Sequence, residues 1–314
     1  MTQQQTTAPP PVAVRDWAAF GAVLVTVLVT VLAWSSAFVA IRWVGEQYDP
    51  GPLSLGRLLV GSAVLGLMVN ARRNWVRPTR REWALLGLCG VAWFAVYNVA
   101  LNAAEQRIDA GTTAMLVNVG PVLIALLAGW LLGEGFPRWL MIGAAIALSG
   151  ALLIGLATRT AGGADVLGTL LALVAAATYA IGVVAQKPVV RRLPALQVTW
   201  LACTIGAIAC LPFTPGLVAN VADASSGATA GVVYLGVVPT AVAFSTWAYA
   251  LARMDAGRLG VTTYLVPPLT IVLAWVLLGE VPPQLAVVGG AVCLVGVALS
   301  RRRGNDARTG RARR

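Results

Sequence analysis

Residues 109–134 read DAGTTAMLVNVGPVLIALLAGWLLGE, and residues 255–280 read DAGRLGVTTYLVPPLTIVLAWVLLGE. The two stretches align at a constant offset of 146 residues, with the same Asp-Ala-Gly start, the same proline in the middle and the same Gly-Glu end. Chance similarity between apolar segments would match leucine and alanine, but it would not keep these three features in one register. The chain therefore contains an internal duplication.

The composition indicates a membrane protein. Hydrophobic residues make up 58% of the 314 residues and charged residues 11%, whereas a soluble domain carries roughly 25% charged residues. The apolar residues come in blocks of about twenty, the length of helix that crosses a hydrocarbon core of ~30 Å. Such blocks must be helical, because every backbone polar group has to find its partner within the segment. We therefore predict an all-α integral membrane protein.

Ten such blocks form two groups of five around a glycine-rich link at 161–163. We predict a disordered N-terminal tail (1–16), a first repeat of five transmembrane helices (17–160), a second repeat of five (164–300) and a basic C-terminal tail (301–314). The spans are expected at about 17–41, 52–70, 83–104, 111–132, 138–157, 165–186, 193–213, 229–252, 257–278 and 284–300.

The basic residues predict the orientation, because cytoplasmic loops are enriched in lysine and arginine. With the N-terminus in the cytoplasm, nineteen of the 23 basic residues fall on the cytoplasmic side. Only Arg42, Arg107 and Arg159 fall on the other side, and Arg57 lies inside the second span. Both termini are therefore predicted to be cytoplasmic. Because each repeat has an odd number of spans, the second repeat is expected to be inverted, as in secondary transporters that open a midplane site to either side in turn.

Prolines interrupt the duplicated stretch at equivalent positions. Pro121 cannot bond the carbonyl of residue 117, and Pro267 and Pro268 leave the carbonyls of residues 263 and 264 without a helical partner. Transporters bend or coordinate substrate at such places, so we interpret the three prolines as hinges. The alternative is that membrane helices simply tolerate them.

Polar side chains lie near these prolines and in the third span. Asn118 and Tyr264 each stand three residues before a proline, at the offset of the repeat. Asn98 and Asn102 are four residues apart and therefore share a helix face. Because polar groups that face lipid are costly, we expect these side chains to line a cavity. The alternative is that the asparagines form hydrogen bonds between helices.

Arg57 is the one basic residue well inside a predicted span. It either extends to the membrane interface or binds a substrate carboxylate or phosphate, and the sequence leaves both interpretations open. Trp34, Trp93 and Trp247 also lie deep in their spans. They are candidates for stacking on an apolar or aromatic ligand, with core packing as the alternative.

Several classes of function are disfavoured. Histidine is absent and the four cysteines lie inside apolar segments, so we predict no metal site and no cofactor. The twelve acidic residues fall at span ends or in loops, where we expect them to be solvated, and this disfavours a proton relay through a buried carboxylate. The net charge of +11 is not accompanied by a nucleic-acid-binding motif, so no nucleic-acid partner is expected.

The chain resembles the EamA family of the drug/metabolite transporter superfamily. The resemblance rests on residues 32–41 (LAWSSAFVAI), on the Pro-x-x-x-x-Arg opening of the second span (Pro52 to Arg57) and on the two DAG…P…LLGE blocks. It implies a ten-helix bundle with a central cavity, in an inner or plasma membrane, and export of amino acids, other small metabolites or drugs. One departure is Thr178-Tyr179-Ala180, which stands roughly where the first half has Trp34-Ser35-Ser36, so the two cavity walls are expected to differ.

These features predict a bacterial inner-membrane transporter, not an enzyme, that exports amino acids or related small metabolites by alternating access. Low-selectivity drug efflux and metabolite uptake are the alternatives within transport, and a membrane-embedded enzyme or a non-transporting membrane protein are remote ones. The expected partners are a small-molecule substrate and the lipid bilayer. The sequence leaves open the substrate, the coupling ion and whether the protein is a monomer or a homodimer. The residues predicted to line the substrate site are Trp34, Arg57, Asn98, Asn102, Asn118, Tyr179, Trp247 and Tyr264.

Overall fold

The computed structural model describes residues 17–131, 165–253 and 256–300, together with short separate pieces between 138 and 156. Every regular element in these residues is helical, and a helix lies in each of the nine predicted spans that they cover. Of the fifth predicted span, 138–157, only short separate pieces are among the described residues. The predicted tails, 1–16 and 301–314, fall entirely outside them.

The first copy contributes four described helices. They are α1 (Trp17–Val44), α2 (Pro50–Arg72), α3 (Arg80–Glu105) and α4 (Ala110–Leu131). Their starts follow from local chemistry: α2 opens with prolines in its first turn, where a missing N–H costs nothing, and α3 opens with a capping box. The Asp-Ala-Gly start of the duplicated stretch is the N-cap of α4, where Asp109 accepts a hydrogen bond from the Thr112 backbone N–H at 2.8 Å.

The second copy contributes the remaining helices. They are α5 (Val166–Val189), α6 (Ala195–Ala209), α7 (Thr214–Asp223), α8 (Ser226–Arg253), α9 (Ala256–Thr262), α10 (Val266–Leu278) and α11 (Gln284–Ser300). α6 and α7 meet at 52°, so the predicted span at 193–213 continues as a bent pair of helices. Six described helices are long and apolar enough to cross a membrane alone, and seven if α6 and α7 form one broken span. The structure thus supports an all-helical membrane protein, and the inverted ten-span arrangement remains a prediction.

Irregular backbone recurs at the offset of the duplicated sequence. α3 contains a π-helical segment at Gly90–Val96, and α8 contains one at Gly236–Val242, 146 residues later. α4 is interrupted at residues 118–119, and the 3-10 turn Thr263–Leu265 separates α9 from α10 at the equivalent place. The duplication is therefore visible in local backbone geometry as well as in sequence. Segments of π-helix are frequent at functional sites.

The core lies where the two copies meet. The most extensive helix pairs are α3 with α5 and α6, α1 with α8, α2 with α8, and α4 with α5, and each joins one copy to the other. Small residues allow the closest approaches, as is usual between membrane helices. A Cβ atom added to Gly182 of α5 would lie 2.4 Å from Trp93 Cβ, and one added to Gly90 of α3 would lie 2.7 Å from the Ala202 carbonyl oxygen.

Candidate functional site

A cavity lies between the two copies, with an empty volume of about 560 Å³ that includes the space at its mouth. Helices α1 to α4 supply most of its wall. The second copy completes the wall with Tyr179 of α5, Phe244 of α8, Thr263 and Val266. A ligand in this cavity would therefore contact both copies of the duplicated unit.

Six aromatic side chains line the cavity. We call four of them, which cluster around Trp93, the aromatic chamber: Trp34, Trp93, Tyr179 and Phe244. Trp93 contacts the other three, with its ring centroid 4.9 Å from Phe244, 5.2 Å from Tyr179 and 6.3 Å from Trp34. The ring planes are tilted or edge-to-face, the arrangements that aromatic pairs favour. The chamber is therefore a preformed apolar surface that does not depend on a ligand for its shape.

Among the described side chains that line the cavity, Arg57 is the one that carries a charge. It is 3% exposed. Its Nε and Nη2 atoms each donate to Thr240 Oγ1 at 3.2 Å. Because the Thr240 hydroxyl donates its own hydrogen to the Leu235 carbonyl at 2.8 Å, both of its lone pairs are available to Arg57. Nη1 has no hydrogen-bond partner among the described residues. The side chain is thus buried at the cavity instead of extending to the membrane interface.

Asn118 lies at the interruption of α4 and lines the same cavity. Its Nδ2 donates to the Thr263 carbonyl of the second copy at 3.2 Å. This is the carbonyl that Pro267 leaves without a helical partner. Its Oδ1 has no hydrogen-bond partner among the described residues. One asparagine therefore compensates a break in the helix of the other copy and still presents a free acceptor.

The three prolines occupy helix starts. Pro121 follows the first residue of α4's second segment, which begins at Gly120, and it lines the cavity. Pro267 lies in the first turn of α10, where the missing N–H costs little, and Pro268 follows it. The hinge role of these prolines stays a prediction. The side chain of Tyr264 lies outside the described residues.

The structure places Asn98, Asn102 and Trp247 behind the cavity wall. Asn98 Nδ2 donates to the Phe94 carbonyl at 2.7 Å within the π-segment of α3. Asn102 Nδ2 donates to the Pro50 carbonyl at 3.1 Å and to Ser54 Oγ at 2.9 Å, both in α2. Trp247 is buried, with its ring centroid 5.1 Å from Trp34. Asn102 therefore follows the alternative of hydrogen bonding between helices, whereas Asn98 bonds within its own helix. Trp247 packs against the chamber without lining the cavity.

Charged residues at helix ends join the two copies. All three ion pairs among the described residues cross from one copy to the other: Arg42 with Glu280 at 2.6 Å, Arg107 with Asp165 at 2.9 Å, and Arg192 with Glu82. The hydrogen bond from the Gly168 backbone N–H is the main cause that lowers the pKa of Asp165, and Arg107 adds to it.

Glu105 corrects an expectation from the sequence. It is fully buried, and neither carboxyl oxygen has a hydrogen-bond partner among the described residues. The prediction that all helix-end acids are solvated is therefore wrong for Glu105. Arg42 Nη1 donates to the backbone carbonyl of Glu105 at 2.6 Å, at the end of α3.

The sequence did not point to Thr240 or Phe244, and it pointed to Thr263 only through the carbonyl that Pro267 leaves free. Thr240 lies 146 residues after Phe94, so the two occupy equivalent places in the two π-segments. A signal was available for Thr263, because the missing bond at Pro267 predicts a free carbonyl there. Nothing in the local sequence distinguishes Phe244 from an ordinary core residue.

Comparison with known proteins agrees with this architecture. The model of the EamA-like transporter family matches residues 20–156 and again residues 166–302. A protein of Streptantibioticus cattleyicolor named "Probable terminal-alkyne amino-acid exporter" is 40% identical over 278 residues, which cover 88% of this chain and 92% of that protein. The "Uncharacterized transporter YdfC" of Bacillus subtilis is 33% identical over 273 residues, covering 85% and 87%.

A more distant relative is also named as a transport protein, and a solved structure has the same fold. A "Probable amino-acid metabolite efflux pump" of Salmonella typhimurium is 25% identical over 282 residues, covering 87% of this chain and 92% of that protein. One solved crystal structure superposes with a TM-score of 0.62 at 24% identity, over 90% of this chain and 96% of that one, and so shares the fold. The family resemblance seen in the sequence is thereby confirmed. The chain belongs to the EamA-like transporter family and is a multi-pass membrane protein of transporter type.

Proposed function

We propose that this chain exports amino acids or related small metabolites across a bacterial inner membrane, with the cavity between the two copies as its substrate site. The observation that carries the proposal is that this cavity is walled by both copies. Movement of one copy against the other would therefore change access to it, which is how inverted-repeat carriers alternate. The names of the relatives from S. cattleyicolor and S. typhimurium support amino-acid chemistry and the outward direction.

The ion pairs between the copies are suited to open and close such a cavity. In the predicted orientation, Arg42–Glu280 and Arg107–Asp165 lie on the outer side, and Glu82–Arg192 lies on the cytoplasmic side. A carrier that alternates must break contacts at one end while it keeps those at the other. Partly exposed ion pairs contribute about 1 kcal/mol or less, so they can be exchanged at low cost.

Reconstitution into liposomes tests the proposal. Purified protein would be inserted into vesicles preloaded with one unlabelled amino acid, and uptake of the same labelled compound would be followed for a panel of amino acids. We expect counterflow of at least one member, most strongly an apolar or aromatic one. Vesicles without protein provide the background. Correctly folded protein that exchanges no amino acid in the panel would reject the proposed function.

A further inference from the structure

We infer that the substrate is an amphiphilic carboxylate, whose carboxylate binds Arg57 Nη1 and whose apolar or aromatic side chain occupies the aromatic chamber. The inference rests on the proposed function and deepens it, because it names the substrate class and the group that anchors it. It is supported by the buried, unpaired Nη1 of Arg57 and by the aromatic side chains that line the same cavity.

The charge of Arg57 has no counterpart among the described residues. The three described ion pairs engage Arg42, Arg107 and Arg192 instead, and Thr240 offers only a neutral hydroxyl. An uncompensated buried charge costs several kcal/mol. The site as it stands is therefore electrostatically incomplete, and a bound anion would complete it.

The hydrogen bonds of Arg57 indicate which of its nitrogens would contact that anion. Thr240 holds two of the three guanidinium nitrogens of Arg57, which fixes the plane of the group. The remaining nitrogen, Nη1, is buried without a partner, on a residue that lines the cavity. Arginine binds carboxylates through such a fixed fork of N–H groups. The amphiphile's other end would lie against Trp34, Trp93, Tyr179 and Phe244, which line the same cavity.

A carboxylate fits this charge better than a phosphate ester does. A phosphate monoester carries about −1.5 to −2 charges at neutral pH, whereas the described lining offers one cationic side chain. The excess negative charge would remain in an apolar cavity at high cost. An organic cation fits worse still, because the described lining contains no carboxylate and Arg57 would repel it.

Asn118 provides for the amino group of an amino acid. Both groups that face its Nδ2 are carbonyls, those of Ala114 and Thr263, so the nitrogen must point toward them and the oxygen must be the free atom. Oδ1 can therefore accept a hydrogen bond from a substrate ammonium group. Its contribution is expected to be smaller than that of Arg57, because it carries no charge.

Equilibrium binding to the purified protein in detergent, measured by calorimetry, tests the inference. The probes are L-phenylalanine, 3-phenylpropanoate (no amino group), L-phenylalaninamide (no carboxylate) and phenyl phosphate. We expect the wild-type protein to bind L-phenylalanine best and 3-phenylpropanoate next. The amide should bind about 30-fold more weakly or worse, which is typical of an unpaired buried charge.

Variants at Arg57 test whether this residue causes the preference for L-phenylalanine over its amide. Arg57→Gln should lower the affinity for L-phenylalanine by about 30-fold or more and should abolish the preference over the amide. Arg57→Lys keeps the positive charge but lacks the planar fork of N–H groups. It should therefore retain part of the affinity for L-phenylalanine and part of the preference over the amide. Arg72→Gln is the matched control, because Arg72 is an exposed arginine of the same helix that does not line the cavity. It should change neither the affinity for L-phenylalanine nor the preference over the amide. Elution as a single species and a cooperative thermal transition would show that each variant is folded.

Three results would overturn the inference: equal binding of the acid and the amide by the wild-type protein, discrimination that survives in Arg57→Gln, or no binding of any of the four probes. A phenyl phosphate that binds more tightly than both carboxylates would also overturn it. The proposed function fails separately. Vesicles that exchange amino acids while Arg57→Gln keeps its discrimination would retain the exporter and reject the anchor, whereas vesicles that exchange none reject the exporter.

Discussion

Asn118 has a structural contact in the fold and a proposed role at the cavity. Its amide nitrogen bonds the Thr263 carbonyl in the other copy, at a helix break that Pro267 enforces. Its oxygen has no hydrogen-bond partner among the described residues, and the residue lines the cavity.

We predict that Asn118→Leu abolishes amino-acid counterflow while the protein still folds. Leucine has a similar volume, but it removes the bond to Thr263 and the acceptor at the cavity. The unfolding free energy should fall by about 1–3 kcal/mol because the Thr263 carbonyl loses its partner. The control is Asn74→Leu in the exposed loop after α2, which should transport normally. Unchanged transport by Asn118→Leu would reject this role.

The hydrogen bonds between Thr240 and Arg57 can be tested by two substitutions at Thr240. Thr240→Val keeps the shape but removes the acceptor for Arg57 Nε and Nη2, so we expect a loss of about 1–3 kcal/mol in unfolding free energy and weaker binding of L-phenylalanine. Thr240→Ser keeps the hydroxyl and should retain most of both. Thermal unfolding and calorimetry would be measured on the pair. Indistinguishable behaviour of the two variants would mean that the hydroxyl does not hold Arg57.

Part of the site could be predicted from the sequence. Arg57 and Asn118 stand out because a charged or amide side chain inside an apolar segment needs a reason to be there. Asn98 and Asn102 stand out for the same reason, yet they bond backbone groups behind the wall. A polar stripe shows that a helix face meets polar groups, but it does not show whether these belong to a ligand or to a neighbouring helix.

The two π-segments connect the elements to the site. Trp93 and Phe94 lie in the first, and Thr240 lies in the second. Phe94 and Thr240 occupy equivalent positions in the repeat. The ring centroid of Phe94 lies 4.5 Å from that of Phe244, whereas Thr240 accepts hydrogen bonds from Arg57. The same irregular backbone thus supplies an aromatic contact in one copy and a hydrogen-bond acceptor in the other.

Close packing of α5 on the π-segment of α3 should be sensitive to one methyl group. Gly182→Ala would place a Cβ atom 2.4 Å from Trp93 Cβ, so we expect a loss of about 1–3 kcal/mol from overpacking and a disturbed aromatic chamber. The control is Gly87→Ala in α3, where an added Cβ atom would meet nothing within 4 Å. This substitution should stabilise the helix by up to about 1 kcal/mol. Thermal unfolding in detergent compares the two. Equal melting temperatures would contradict the packing described here.

The helices themselves are largely predictable, because apolar blocks of about twenty residues have no other stable form in a bilayer. The π-segments and α7 are not. A π-segment has the same apolar composition as its flanking helix, and it is set by contacts such as the bond from Asn98 to the Phe94 carbonyl. The helix α7 follows a bend after Cys210, where the sequence shows only that the span has ended.

At the scale of the whole molecule, the copies are joined by charge at their ends and by aromatic packing in the middle. Arg42 bonds Glu280 across the copies and also the backbone of Glu105. Its pair is partly exposed, at 32% and 21% of the two side chains. Such a contact can break and re-form without exposing the core.

A double-mutant cycle tests the role of this contact. Arg42→Glu and Glu280→Arg each place like charges together, so each should slow counterflow by holding the outer end open. The combined variant restores opposite charges and should recover much of the rate, with a coupling energy of about 0.5–3 kcal/mol in unfolding measurements. A combined variant that is no better than the worse single one would show that the pair does not act as a unit.

The proposed alternating cavity requires that the two copies insert into the membrane with opposite orientations. Arg77 and Asp223 lie 146 residues apart, in the loop between α2 and α3 and at the end of α7. Arg77→Cys and Asp223→Cys, each made in a chain without its native cysteines, would be treated with a membrane-impermeant thiol reagent in whole cells. We predict that residue 223 is labelled in intact cells and residue 77 only after the membrane is permeabilised. Labelling of both positions from the same side would contradict the inverted repeat and the alternating cavity built on it.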